Sequence, residues 1–187
     1  MPTDVLENMV GTLRFAHLLF PRHFELAGAP VKVRDATSAD AGAACAVLRA
    51  SIIELCTADH GNDPVLLERW LANKQPEIVK GWIVRADNSL LVAVDENDAI
   101  LAVGSVTDAG EITANYVSPH ARFRGVSRAL LAALEARAAE RGNTACRLHS
   151  TETAHRFYLA NGYVDDGEPI RKFGMNSGYP MSKRIAT

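Results

Sequence analysis

The densest chemistry in this 187-residue chain lies between Tyr116 and Leu131, a stretch that sets three arginines around one glycine: Tyr-Val-Ser-Pro-His-Ala-Arg-Phe-Arg-Gly-Val-Ser-Arg-Ala-Leu-Leu. The apolar run before Pro119 reads as the end of a strand. After it, Leu130, Leu131, Leu134 and Ala138 recur on one face of a helix. The loop between them delivers Arg122, Arg124, Gly125, Ser127 and Arg128 to a helix N-terminus. The first N–H groups of a helix have no intrahelical acceptor and carry about half a positive charge. Glycine lets a ligand approach the backbone, and serine adds little bulk. Such a site suits a phosphate or pyrophosphate. A solvated turn is an equally good reading of one glycine-bearing loop taken alone. The loop is not a P-loop, because no Gly-Lys-Ser or Gly-Lys-Thr occurs, and two of the three glycines of a dinucleotide fingerprint are missing.

Other reactive residues carry weaker signals. His149, Glu152 and His155 lack His-Glu-x-x-His spacing, so no metal is expected. Gly104-Ser105 lacks the rest of a Gly-x-Ser-x-Gly elbow, which argues against a serine hydrolase. Cys45, Cys56 and Cys146 form no Cys-x-x-Cys pair and are odd in number. They read as buried packing residues of a reduced, cytoplasmic chain. Trp70 and Trp82 read as core.

The elements that position these residues follow from the pattern. At 48% hydrophobic and 22% charged, the chain is an ordinary globular composition of one domain. Its net charge of −2 argues against a nucleic-acid partner. No run approaches the ~20 apolar residues of a membrane span, and Asp4 and Glu7 stand where an export signal would be positive. Residues 1–30 are expected to form an N-terminal extension: a short helix through Leu6, Val10 and Leu13, ended by Pro21, then a Gly28-Ala29-Pro30 linker. Residues 31–187 then form one domain. A strand is expected at Val31–Arg34 and an Ala-rich helix from Thr37 to about Cys56. A loop follows at His60 to Asp63, then a helix opening at Pro64 and a further short helix before Trp82. Leu90–Val94, Ile100–Val106 and Ile112–Val117 read as a meander of three strands. After the helix stopped by Gly142-Asn143 come a strand at Ala145–Leu148, a helix from Thr151 to Asn161-Gly162, and strands at Tyr163-Val164 and Tyr179–Ile185. The order indicates an α/β (α+β) fold.

Two motifs together resemble the GNAT superfamily of N-acetyltransferases. Arg122-Phe123-Arg124-Gly125-Val126-Ser127 resembles its Arg/Gln-x-x-Gly-x-Gly/Ala signature. Thr151-Glu152-Thr153-Ala154-His155-Arg156-Phe157-Tyr158, with Gly162-Tyr163 behind it, resembles its closing Asn-x-x-Ala-x-x-Phe-Tyr and Gly-Phe/Tyr. The resemblance covers about Val31 to Ile185. It implies a mixed, mostly antiparallel sheet of six or seven strands flanked by about four helices.

It also implies acetyl-CoA as co-substrate, without a metal, and a primary amine as acceptor, on either a small molecule or a peptide. The strand before the signature would be bulged and splayed from its neighbour. The pantetheine arm would bond along Tyr116 and Val117, and the pyrophosphate would sit on Arg122, Phe123, Arg124, Gly125, Val126, Ser127 and Arg128. Thr151 stands where the family has asparagine, and would still cap its helix. Tyr158 matches the general acid: a phenol of pKa ~10 can protonate a thiolate whose acid has pKa ~8.5. Glu111, six residues before Val117, matches a catalytic base, acting directly or through an ordered water. The loop of Asp59, His60 and Asp63 would border the acceptor pocket, with those side chains solvated. Two other readings are a non-catalytic acyl-CoA-binding or sensory module and an enzyme that acetylates protein N-termini or lysines. A homodimer is a habit of the family.

Overall fold

The computed structural model describes residues 31–170 and 178–185. The N-terminal extension expected over residues 1–30 lies outside them. The described chain runs β1 (Lys32–Asp35), α1 (Ala41–Leu55), α2 (Thr57–His60), α3 (Pro64–Leu71), α4 (Pro76–Ile83), β2 (Asn88–Val94), β3 (Ile100–Thr107), β4 (Glu111–Val117), α5 (Val126–Glu140), β5 (Ala145–Ser150), α6 (Glu152–Ala160), β6 (Val164–Asp165) and β7 (Tyr179–Arg184). The sheet has seven strands in the order β1-β2-β3-β4-β5-β7-β6, antiparallel except between β4 and β5. The described residues form six helices: the sequence pattern places three of them between β1 and β2, and the structure adds the one-turn α2, so that segment breaks into four pieces. Prolines set two of those breaks, at the first residues of α3 and α4.

Both faces of the sheet are covered, which is why β2 and β3 read as continuous apolar runs. On one face α5 buries Val126, Leu130, Leu131, Leu134 and Ala138 against Leu91, Ala93, Ala102 and Leu148. On the other, α1 and α4 bury Ala44, Leu48 and Val79 against Leu90, Val92, Val94 and Val103. Gly104 belongs to the α5 side of this packing: a β-carbon there would come 2.8 Å from Leu134 Cδ1. All three cysteines are buried and free. Among the described residues no helix is long and apolar enough to cross a membrane.

Two irregularities shape the centre of the sheet. Ser105 pairs with Ala114 but Val106 with Ile112, so Thr113 is an extra residue and β4 bulges. Thr113 Oγ1 donates to Ser105 Oγ (3.1 Å), which donates to Asn88 Oδ1 (2.7 Å), fixing the bulge to two neighbouring strands. Beyond it, β4 and β5 pair only at Glu111–Arg147 and Ile112–Leu148 and then part.

Candidate active site

The parting of β4 from β5 opens a cavity of about 480 Å³, within the range of small-molecule sites. Residues 112–117 of β4 form one wall, and residues 148–150 of β5, with Thr151 after them, face it. Thr153, Ala154, Phe157 and Tyr158 close the α6 side, and Ser51, Leu55 and Cys56 the α1 side. Ala121, Arg122, Phe123 and residues 125–128 form the mouth.

The mouth is built for an anion. Gly125 is the N-cap of α5 with φ +75°, a left-handed conformation that glycine adopts without penalty. A β-carbon there would meet nothing within 4 Å, so the space over the helix start is open. The first helical bond runs from Ala129 N–H to the Gly125 carbonyl, at 3.0 Å. The N–H groups of Val126, Ser127 and Arg128 therefore have no intrahelical acceptor. Among the described residues, Arg122 and Arg128 line the same space and no aspartate, glutamate or lysine does. Arg124 is exposed and lies outside the lining.

The inner end holds a proton donor. Thr151 caps α6, its Oγ1 accepting from Ala154 N–H at 3.3 Å. Seven residues on, Tyr158 is buried, with the rings of Phe157 and Tyr163 edge-on at 5.2 and 5.4 Å. Burial pushes its hydroxyl up to about 12, against a smaller opposing effect of the Asn115 amide beside it. The phenol is therefore neutral and able to donate throughout the physiological range. Asn115 Oδ1, also in the wall, is a buried acceptor without a hydrogen-bond partner among the described residues. Buried acceptors rarely stay unpaired, and an N–H of a pantetheine-like arm would satisfy this one. Anion-ready amides at one end and an orphaned acceptor at the other fit an acyl-CoA. Tyr116 and Val117 form the β4 wall between the two ends. The Tyr116 hydroxyl is buried towards Cys56 and Trp70, and burial raises its pKa.

The segment after α1 departs from the sequence expectation. Asp59 and His60 are not solvated loop residues; they are 6% and 1% exposed, on α2. Asp59 accepts from the N–H groups of Glu152 (2.7 Å) and Thr153 (3.4 Å), so it caps α6 from 93 residues away. A carboxylate at a helix N-terminus is favoured by both hydrogen bonding and the helix dipole. His60 Nδ1 accepts from Asn62 N–H at 3.0 Å, so its proton is on Nε2, 3.2 Å from the Ile52 carbonyl. Neither side chain is left to recognise an acceptor. Asp63 is used too, capping α3 through Val65 and Leu66 N–H. Asp59→Ala is expected to cost about 1–2 kcal/mol, read in urea melts, with Asp59→Asn losing less than half as much.

Glu111 is exposed, opens β4, and does not line the cavity. His149 does. Glu152 and His155 are engaged elsewhere: Tyr179 donates to Glu152 Oε2 (2.5 Å), and His155 Nε2 lies 2.7 Å from Asp165 Oδ1, so α6 is tied to β7 and β6. Pattern reading missed Ser51, Leu55, Cys56 and Asn115 as wall residues. Only Asn115 carried a signal, its adjacency to Tyr116.

Comparison with known proteins places this geometry. Residues 56–185 match the family model described as an acetyltransferase (GNAT) domain. Among solved structures, a GCN5-related N-acetyltransferase from Rhodopseudomonas palustris superposes with a TM-score of 0.73 at 22% identity, over 84% of this chain and 97% of that one. A PaiA N-acetyltransferase from Thermoplasma acidophilum, in complex with coenzyme A, gives 0.69 at 19% identity, over 83% and 99%. A GCN5-related N-acetyltransferase from Kribbella flavida gives 0.63 at 21%, over 83% and 98%. No curated protein matches the chain.

Proposed function

Because the chain belongs to the GNAT acetyltransferase family, we propose that it moves an acetyl group from acetyl-CoA to a primary amine, with Tyr158 protonating the departing sulfur. Enzymes of this family are acyltransferases that use acetyl-CoA and amine acceptors. The observation that carries the reading for this chain is that one cavity joins the open start of α5 to the buried Tyr158 hydroxyl. The amides of residues 126–128, with Arg122 and Arg128, hold the pyrophosphate. The parted edges of β4 and β5 receive the pantetheine arm, with Tyr116, Val117 and the Asn115 amide along it. Thr151 holds the start of α6 and so the position of Tyr158.

The amine nitrogen attacks the thioester carbon, the carbon–sulfur bond breaks, the sulfur takes the Tyr158 proton, and the proton shed by the newly acylated nitrogen returns to the Tyr158 phenolate. The ammonium must first lose a proton. Glu111 stands outside the wall, so it receives that proton through water. Glu111→Gln is expected to slow turnover severalfold at neutral pH with acetyl-CoA affinity unchanged, measured by CoA release and calorimetry.

The acceptor side is formed by Ser51, Leu55 and Cys56, with no carboxylate among the described residues of the lining. Burial pushes the Cys56 thiol up to about 12, so it is a neutral, small, apolar wall. This supports a compact amine on an apolar body over a polycationic peptide. The test is incubation with acetyl-CoA and panels of primary amines and peptides, following CoA release. Turnover with small apolar amines is expected. No release with any acceptor, and no acetyl-CoA binding by calorimetry, overturns the reading.

A further inference from the structure

Phe123 combines three properties that a connecting loop does not require. It is 89% exposed, the highest value among the described large hydrophobic residues, and it joins none of the core clusters. Its φ is +60°. The other described non-glycine residues in that region are Asn62 and Asp98, types whose short polar side chains suit it, whereas a bulky residue there is an outlier held at an energetic cost. It also lines the cavity mouth, and the Arg122 guanidinium lies 4.6 Å from the centre of its ring. A strained backbone thus presents an aromatic face to solvent, with a cation already set against the ring, and the folded chain gains no packing from it.

The chemistry of the donor says what meets that face. In acetyl-CoA the pyrophosphate joins the pantetheine arm to a phosphorylated adenosine. With the arm running inward between β4 and β5 and the pyrophosphate on the amides of residues 126–128, the nucleoside must lie outward, over the rim formed by Arg122 and Phe123. We propose that Phe123 is the stacking platform for the adenine base, with Arg122 held on the ring so that its guanidinium meets the adjoining phosphates. The inference rests on the reading of the α5 start as the donor's phosphate site. Aromatic stacking needs only the flat face of a base, so another purine would be accepted in place of adenine.

The experiment compares CoA with 4′-phosphopantetheine, which lacks the nucleoside, by calorimetry. Phe123→Ala is expected to weaken CoA about tenfold, within the range for loss of a base–aromatic stack, and to leave phosphopantetheine within about twofold. Phe123→Trp is expected to retain CoA affinity, its added fluorescence quenched by CoA and not by phosphopantetheine. Phe123→Asn, a type suited to the same backbone, is expected to melt at or above wild type while losing CoA affinity as alanine does, which separates binding from folding. Equal loss of both ligands in Phe123→Ala, or loss of neither, overturns the proposal. Wild-type protein that binds neither ligand overturns the phosphate-site reading itself, and this inference with it.

Discussion

Replacing Tyr158 with phenylalanine is expected to lower kcat by about 100-fold or more while leaving the Kd for acetyl-CoA within about twofold. A positioned general acid contributes ~10²–10⁴ in rate, and a 100-fold loss corresponds to ~2.7 kcal/mol of transition-state stabilisation. The variant keeps the ring, and so keeps the edge-on contacts to Phe157 and Tyr163. What it removes is the proton that, in the proposed mechanism, neutralises the leaving sulfur. The pH dependence follows from the direction of the shift. Burial raises the hydroxyl to about 12, so the donor stays protonated as pH rises through the usual phenol range and is lost only near its raised value. The wild-type to variant ratio is therefore expected to stay flat between about pH 6 and 9. A ratio that collapses towards one at the upper end would place the acid elsewhere. Unchanged turnover at neutral pH would remove Tyr158 from the mechanism.

The second large effect concerns the point where the cleft closes. Gly110 has φ +76°, and a β-carbon on it would lie 2.8 Å from the Ala145 carbonyl oxygen and 3.1 Å from Asn143 Cγ. Its own carbonyl accepts from Arg147 N–H at 3.0 Å, next to the two residue pairs that hold β4 to β5. The obstructing atom is backbone at the start of β5 and cannot rotate away. Gly110→Ala therefore combines left-handed strain of ~1–2 kcal/mol with overpacking of ~1–3 kcal/mol. A loss of about 2–5 kcal/mol is expected, or of order 10 °C in Tm for a chain of this length. Thermal melting checks it; a Tm within about 2 °C of wild type would show that β5 can move away from Gly110 at little cost.

What pattern reading could see depended on range. Strands β1 to β5 and β7 were legible because their apolar runs are bounded by turn residues, and the start of α5 because glycine and serine follow a strand ended by proline. Asp63, which caps α3, was read as a solvated loop residue, but Thr151 was readable as a cap, since a cap and its helix are adjacent in sequence. Helix α2 was not, because the four residues Thr57–His60 are one turn, too short to display a period. Asp59 was misread for a related reason. A charged residue after a helix is ordinarily solvated, and the amides that bury this one belong to Glu152 and Thr153. The bulge at Thr113 and the parting of the central strands were legible only through family resemblance, because they depend on the register between strands that are distant in the chain. The lining omits Glu111 and Arg124, although both are next to wall residues in sequence; Glu111 lies where β4 is still paired with β5, and where that pairing ends is not encoded in the spacing of a motif.

The narrow contact between β4 and β5 has a thermodynamic consequence. Among the described residues, strands β5, β7 and β6 pair with the other four of the sheet at only two positions, with α5 and α6 as further bridges. A ligand seated between the parted edges and bonded to both adds a bridge that the unfolded chain cannot form. By mass action it stabilises the native state by RT ln(1 + [L]/Kd), about 2.7 kcal/mol at 100 times Kd. The amides of Asn115, Tyr116 and Val117 should then exchange with solvent more slowly as acyl donor accumulates, while those of β1 and β2 change less. The abundance of the donor would thus be registered in the fold's resistance to opening, before any acceptor arrives.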